Sequence, residues 1–208
     1  MNTEWLKQAT INLFRLSKEQ EDFNKARLEW VYRGLEDNEY CDASCELCGH
    51  EEIRYEYTIV NKLNSNVMVV GSECIKKFTD DFKDDFYDTE GNLVTAARLT
   101  KDKTEYFKRI LADALDERLQ SSNNTFYKSV ADKIKKDGKL SPNQLKHLRN
   151  FYPTLSDMGK RAFKSVVKVS LRKEKDQEQM AALRWYDLQF VAQFMSSEQR
   201  KRYNVKVK

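Results

Sequence analysis

Cys41-Asp-Ala-Ser-Cys45-Glu-Leu-Cys48-Gly49-His50, answered after a strand-rich interval by Val70-Gly-Ser-Glu-Cys74-Ile-Lys-Lys-Phe78, holds every cysteine of this 208-residue chain. Cys45 and Cys48, two residues apart, can turn both sulfurs onto one metal ion. Gly49 tolerates the positive φ that closes such a knuckle. Between knuckle and Cys74, Ile53, Tyr55, Tyr57 and Ile59 alternate with Arg54, Glu56 and Thr58, the period of a half-buried strand. The turn-rich Asn61–Asn66 separates this strand from Val67–Val70. Gly71-Ser72 then ends the second strand, and Ser72 is the expected N-cap of a short helix from Glu73 to Phe78. A hairpin of this kind returns Cys74 to the knuckle. The partial positive charge of a helix N-terminus there favours its thiolate.

Knuckle, hairpin, then a helix with a cysteine in its first turn is the layout of a treble-clef zinc finger. The expected fold is therefore α+β: a treble-clef-like zinc lobe followed by a mostly helical lobe. A treble clef takes its fourth ligand three residues further along the helix, where this chain has Lys77, which cannot serve. Cys41 is the expected replacement, giving a Cys41/Cys45/Cys48/Cys74 tetrathiolate around one structural Zn2+, with His50 as the competing donor. Four thiolates on a dication leave a net charge of about −2, so Arg54, Lys76 and Lys77 either offset that charge or contact phosphate.

Cys45-Glu-Leu-Cys-Gly49, the Ile53-Arg-Tyr55 strand and Val70-Gly-Ser-Glu-Cys-Ile-Lys-Lys-Phe78 resemble small zinc-binding proteins of bacteriophages and bacterial mobile elements, a mostly uncharacterised family. The likeness spans about 40–50 residues. Gly138-Lys-Leu-Ser-Pro-Asn-Gln144 is similar to a helical segment of such proteins. The resemblance implies a zinc fold and a phage or prophage setting, and it supplies no activity.

Hydrophobic residues make up 40% of the chain and aromatic residues 12%, enough for a core and against wholesale disorder. No stretch approaches the roughly 18 apolar residues of a membrane span, and the N-terminus lacks a basic-then-apolar leader. The expected setting is the reducing cytoplasm of a bacterial host cell, where thiols bind metal rather than pair. Helical patterns run from about Thr3 to Ala26 with a break near Leu16, Ser17 and Gln20 having capping-box spacing for the second segment. Further helices are expected over about Asp102–Gln120, Asn124–Lys136, Ser141–Tyr152, Ser156–Leu171 and Gln177–Phe194, followed by a short basic tail. At Ser141, serine, proline and Gln144 combine as cap, first helical residue and capping box. The expected division is into residues 1–93 and 94–208, without internal repeats.

The net charge is only +4, but its distribution is uneven. Asp80, Asp81, Asp84, Asp85, Asp88 and Glu90 form an acidic run whose one cation is Lys83. From Met158 onward there are 13 Lys/Arg against 5 Asp/Glu. Lys160, Arg161, Lys164, Lys168, Arg172 and Lys173 lie largely opposite Ala162, Phe163, Val166 and Val169, so one side is apolar and the other cationic. With Lys76 and Lys77 these are the candidate phosphate contacts, for DNA or RNA. Catalysis is not expected. His50 and His147 are the only histidines, and the hairpin and helix lack those a treble-clef nuclease uses to activate water. The acidic run lacks calcium-loop spacing. The expected function is binding of nucleic acid or a nucleic-acid-processing complex. The alternative is a protein module that inhibits or redirects a host enzyme through Trp185, Tyr186, Phe190 and Phe194, residues whose helical spacing also suits a core.

Overall fold

Alternation along residues 30–61 gives one face of a sheet to a core. In the computed structural model, which describes residues 3–82, 84–122 and 124–206, β1 (Trp30–Asp37), β2 (Tyr55–Asn61) and β3 (Val67–Val70) form an antiparallel sheet in that order. Trp30 pairs with Asn61, and Tyr57 with Val70. Trp30, Tyr32, Tyr57, Ile59, Met68 and Val70 are buried together with Ala9 and Leu13 of α1 (Thr3–Leu16), Ala26 of α2 (Phe23–Arg27) and Ile75 and Phe78 of α3 (Ser72–Asp80). Full burial of each large side chain contributes about 1.5–3 kcal/mol. β1 carries a register shift between Tyr32 and Gly34. At its edge, the Tyr32 amide donates to the Tyr87 carbonyl at 2.8 Å, so the chain after α3 runs beside β1.

Glu29 fastens the helices to the sheet. Its buried carboxylate accepts from the backbone amides of Lys18 and Glu19 at 2.8 and 2.7 Å and from Asn61 Nδ2 at 2.6 Å. Burial alone would raise its pKa, but these donors outweigh it and hold the carboxyl below its ordinary value.

Two expected caps fall elsewhere. The Ser17 hydroxyl, instead of starting a helix, accepts the buried Trp30 indole N–H at 2.8 Å, and Asp22 caps α2. Ser72 is already helical, with Gly71 at the cap and no side-chain cap bond. A serine beside a buried aromatic has a better partner there than an amide that water can reach.

The chain forms two compact units, residues 1–103 and 104–208, a division ten residues beyond the expected one and inside α4 (Ala96–Ser122). In the second unit, α5 (Thr125–Lys136) is capped by Asn124 and stops at Gly138, φ +68°. β4 (Lys139–Leu140) follows, then α6 (Pro142–Leu148) with both bonds of the Ser141/Gln144 capping box. A 3-10 turn at Tyr152–Thr154 leads into α7 (Asp157–Val166). The helix expected to reach Leu171 ends at Val166. There Val167-Lys-Val169 extends instead, and β5 (Lys168–Val169) pairs in parallel with β4. The segment expected as one helix over 177–194 is two, α8 (Glu174–Ala181) and α9 (Trp185–Ala192). Part of the basic tail folds as α10 (Ser197–Arg202), whose Ser196/Gln199 capping box repeats the Ser141/Gln144 device. Phe163 and Phe194, with ring centroids 4.9 Å apart, form the aromatic core with Phe190 and Tyr152. Among the described residues, no helix is long and apolar enough to cross a membrane. Lys83 and Lys208 lie outside them.

Candidate metal centre

The knuckle closes as its glycine predicts. Gly49 sits at φ +77°, its amide donating to the Cys45 carbonyl at 2.7 Å, while the Cys45 amide donates to the His50 carbonyl at 2.8 Å. Across from it, Gly71 leads from β3 into α3. A Cβ at Gly71 would lie 3.1 Å from Ile53 Cγ2 and 3.8 Å from Cys45 Cβ, so glycine admits the close approach that carries Cys74 to the knuckle. The sulfurs of Cys45, Cys48 and Cys74 all lie within 4.8 Å of one another, a spacing that can hold a metal ion. Tetrahedral zinc about 2.3 Å from each sulfur would set them about 3.8 Å apart, inside that span. The three thiols fit such an ion.

Donors surround the sulfurs. The Gly71 amide reaches Cys45 at 3.3 Å and the Trp5 indole N–H reaches Cys74 at 3.2 Å. Asn12 of α1 donates to the Leu47 carbonyl at 3.0 Å and so fixes the helix that carries Trp5 on the knuckle. N–H groups aimed at sulfur stabilise thiolate charge and orient ligands. A hydrogen bond from Cys74 lowers the Cys45 thiol to about 5, against burial and with help from the Gly71, Cys48 and Leu47 amides. The same bond raises Cys74, burial adding to it, and burial raises Cys48.

Of the four cysteines expected as ligands, Cys41 is not in this group. It is half-buried at φ +53°, with its sulfur 3.7 Å from the Asn38 carbonyl and 4.0 Å from that of Glu39. Asn38 explains the placement. Its Oδ1 accepts the Tyr40 and Cys41 amides, and its Nδ2 donates to Asp42 and Glu56 at 2.8 and 2.6 Å, pinning the loop away from the cluster. Among the described residues no fourth cysteine, histidine or carboxylate joins the three sulfurs. They open on a cavity of about 420 Å³ that is also lined by Trp5, His50, Arg54 and Lys77.

The cations near the cluster are committed to carboxylates. Arg54 pairs with buried Asp37 at 2.9 Å, Lys76 with Glu73 at 2.8 Å and Lys77 with Asp81 at 3.2 Å. The acidic run is likewise occupied internally. Asp84 faces the buried Arg27 guanidinium at 3.5 Å. Asp88 accepts the amides of Glu90 and Asn92 and lies 3.7 Å from Arg98. The second unit differs. Lys160 pairs with Asp157 at 3.5 Å, but Arg161, Lys164, Lys168, Arg172 and Lys173 are exposed and, among the described residues, have no ion-pair partner. Phe190 and Phe194 are core, whereas Trp185 and Tyr186 are 59% and 60% exposed. His147 is exposed, its ring against Phe126.

Two contributors escaped the sequence reading. Trp5 touches the cluster from 69 positions away, which no local pattern signals. Lys139 joins the basic residues only through the β4–β5 pairing of two-residue strands, too short for a period. Comparison of the chain with models of known protein families, with curated proteins and with solved structures finds no match.

Proposed function

We propose that the protein is a non-enzymatic, phage-type binding protein. Its first unit is a treble-clef-like lobe built around one structural zinc ion, and its second unit binds nucleic acid or a nucleic-acid-processing complex. The observation that carries the zinc assignment is the convergence of Cys45, Cys48 and Cys74 from the knuckle and from the first turn of α3. Structural zinc sites are closed by four ligands. We assign the fourth position to His50, which also stands outside the three-sulfur group but lines the same cavity as an exposed side chain, whereas Cys41 is held in its loop by Asn38. The ion would hold the knuckle to the helix, with no reaction routed through it.

Nucleic-acid binding is supported by the contrast in charge pairing. Lys76 and Lys77 are neutralised by neighbours, and the cations of residues 161–173 are not. Six to ten phosphate contacts give an affinity that falls roughly 10³–10⁵-fold between 50 and 200 mM salt. Titration of labelled DNA and RNA at graded salt tests this, and absence of binding at low salt would remove it. Exposed Trp185 and Tyr186, with ring centroids 5.9 Å apart, favour a second reading as an inhibitor or modulator of a host enzyme. Capture from nuclease-treated host lysate, lost on Trp185→Ala, would support that reading instead.

A further inference from the structure

Lys139 and Lys168 are partners in the parallel β4–β5 ladder, and the next pair, Leu140 and Val169, is buried. Alternation therefore sends both lysines to the exposed side, two like charges directly opposite one another. That arrangement is destabilising unless something neutralises it. Nothing in the described residues does. The adjacent Asp137 carboxylate accepts from the Lys139 backbone amide at 3.0 Å, and neither ammonium has an ion-pair or hydrogen-bond partner. Lys164, in the last turn of α7, is also exposed and has no ion-pair partner among the described residues, and lines a groove of about 320 Å³ with Lys168, Gln193, Ser196 and Gln199. The groove thus has two cations on one wall and neutral hydrogen-bonding groups on the other. The backbone beneath is rigidly placed: the Lys168 amide donates to the Gly138 carbonyl at 2.9 Å, and Gln199 Nε2 to the Val169 carbonyl at 3.1 Å.

We infer that the β4–β5 face, with Lys139, Lys164 and Lys168, is where this protein holds the sugar–phosphate backbone of a nucleic acid. This rests on the nucleic-acid function proposed above and gives it a location. The phosphate chain supplies the negative charge that the ladder lacks, and Gln193 and Gln199 can donate to phosphate or sugar oxygens without reading sequence. Lys139 lies outside α7, which carries Lys160, Arg161 and Lys164. Strand pairing, rather than helix amphipathicity, creates the locus.

Fluorescence anisotropy with one labelled DNA sequence, single-stranded and duplex, at graded salt tests the assignment. Wild type is expected to bind with a steep salt slope. Lys139→Gln/Lys164→Gln/Lys168→Gln should lower that slope by about 1 per lysine removed and weaken low-salt binding by roughly tenfold or more. Its melting temperature should be unchanged or higher, because repulsion is relieved. Lys7→Gln/Lys18→Gln/Lys25→Gln, the same charge change on exposed lysines of the first unit, should bind as wild type. A ladder variant that binds like wild type, or a control that loses as much, overturns the location while leaving nucleic-acid binding in place. A wild-type protein that ignores both DNA and an RNA of the same sequence at low salt overturns the function itself. Competition by poly-glutamate as strong, per charge, as by unlabelled DNA assigns the face to an acidic protein and overturns the proposal.

Discussion

The two units handle charge in opposite ways. In residues 1–103 the chemically active side chains turn inward: three thiols meet one another, Arg54 meets Asp37, Lys77 meets Asp81, and Glu29 is closed by three donors. In residues 104–208 the core is built around aromatic rings, and Arg161 and Lys164 of α7 and Lys168 of β5 face solvent without an ion-pair partner among the described residues. The difference assigns roles. The polar groups around the thiols are spent on holding that region together, whereas the second unit, beside ion pairs of its own, presents a set of cations around β5 outward.

Metal removal is expected to separate the two units most strongly. Structural zinc contributes on the order of 10 kcal/mol, as much as the whole net stability of a typical domain, about 5–15 kcal/mol. A strong chelator, or Cys74→Ser, is therefore expected to unfold the first unit, read as collapse of hydrogen-exchange protection across β1–β3. Protection of α5–α7 should persist. Equal loss in both regions would erase the distinction.

Gly138 tests the second unit without metal. A Cβ there would fall on the Val166 carbonyl oxygen, and its φ of +68° is unfavourable for alanine. Gly138→Ala is expected to cost about 2–4 kcal/mol and to weaken binding by disturbing β4 beside Lys139, with metal content unchanged. A variant as stable as wild type would show that the turn can relax.

Glu29 gives the smallest of these effects, with a pH signature confined to the first unit. Its folded pKa is depressed, so its contribution to stability is present above the ordinary carboxyl value and is lost as pH falls through the lower folded value. Glu29→Gln should cost about 1–3 kcal/mol at neutral pH, read by urea unfolding, and the difference from wild type should shrink below about pH 4. A constant difference down to pH 3 would mean that the carboxylate charge contributes nothing.

Much of the first unit was legible because its signals are local. Cys45-x-x-Cys48-Gly49, the alternation into Ile59 and the break at Leu16 all mark structure within a few residues of themselves. The α+β class and the Ser141 capping box were readable for the same reason. What was not legible depends on partners distant in sequence. Ser17 looks like a cap until the Trp30 indole claims its hydroxyl, and Ser72 looks like one until Gly71 takes the cap position. Cys41 looks like a ligand until the side chain of Asn38 turns its loop outward. Val167–Val169 continues an amphipathic pattern, yet its β-branched residues extend once Gly138 and Leu140 offer a strand. Trp185, Tyr186, Phe190 and Phe194 share a helical spacing, but only the last two find Phe163.

Native mass spectrometry of the protein purified without added metal tests the central claim most directly, with each cysteine changed to serine in turn. One zinc ion per chain is expected in wild type and in Cys41→Ser, with the ion lost or strongly weakened in Cys45→Ser, Cys48→Ser and Cys74→Ser. A folded wild-type protein that carries no metal, or a Cys45→Ser variant that keeps its zinc, would contradict the account.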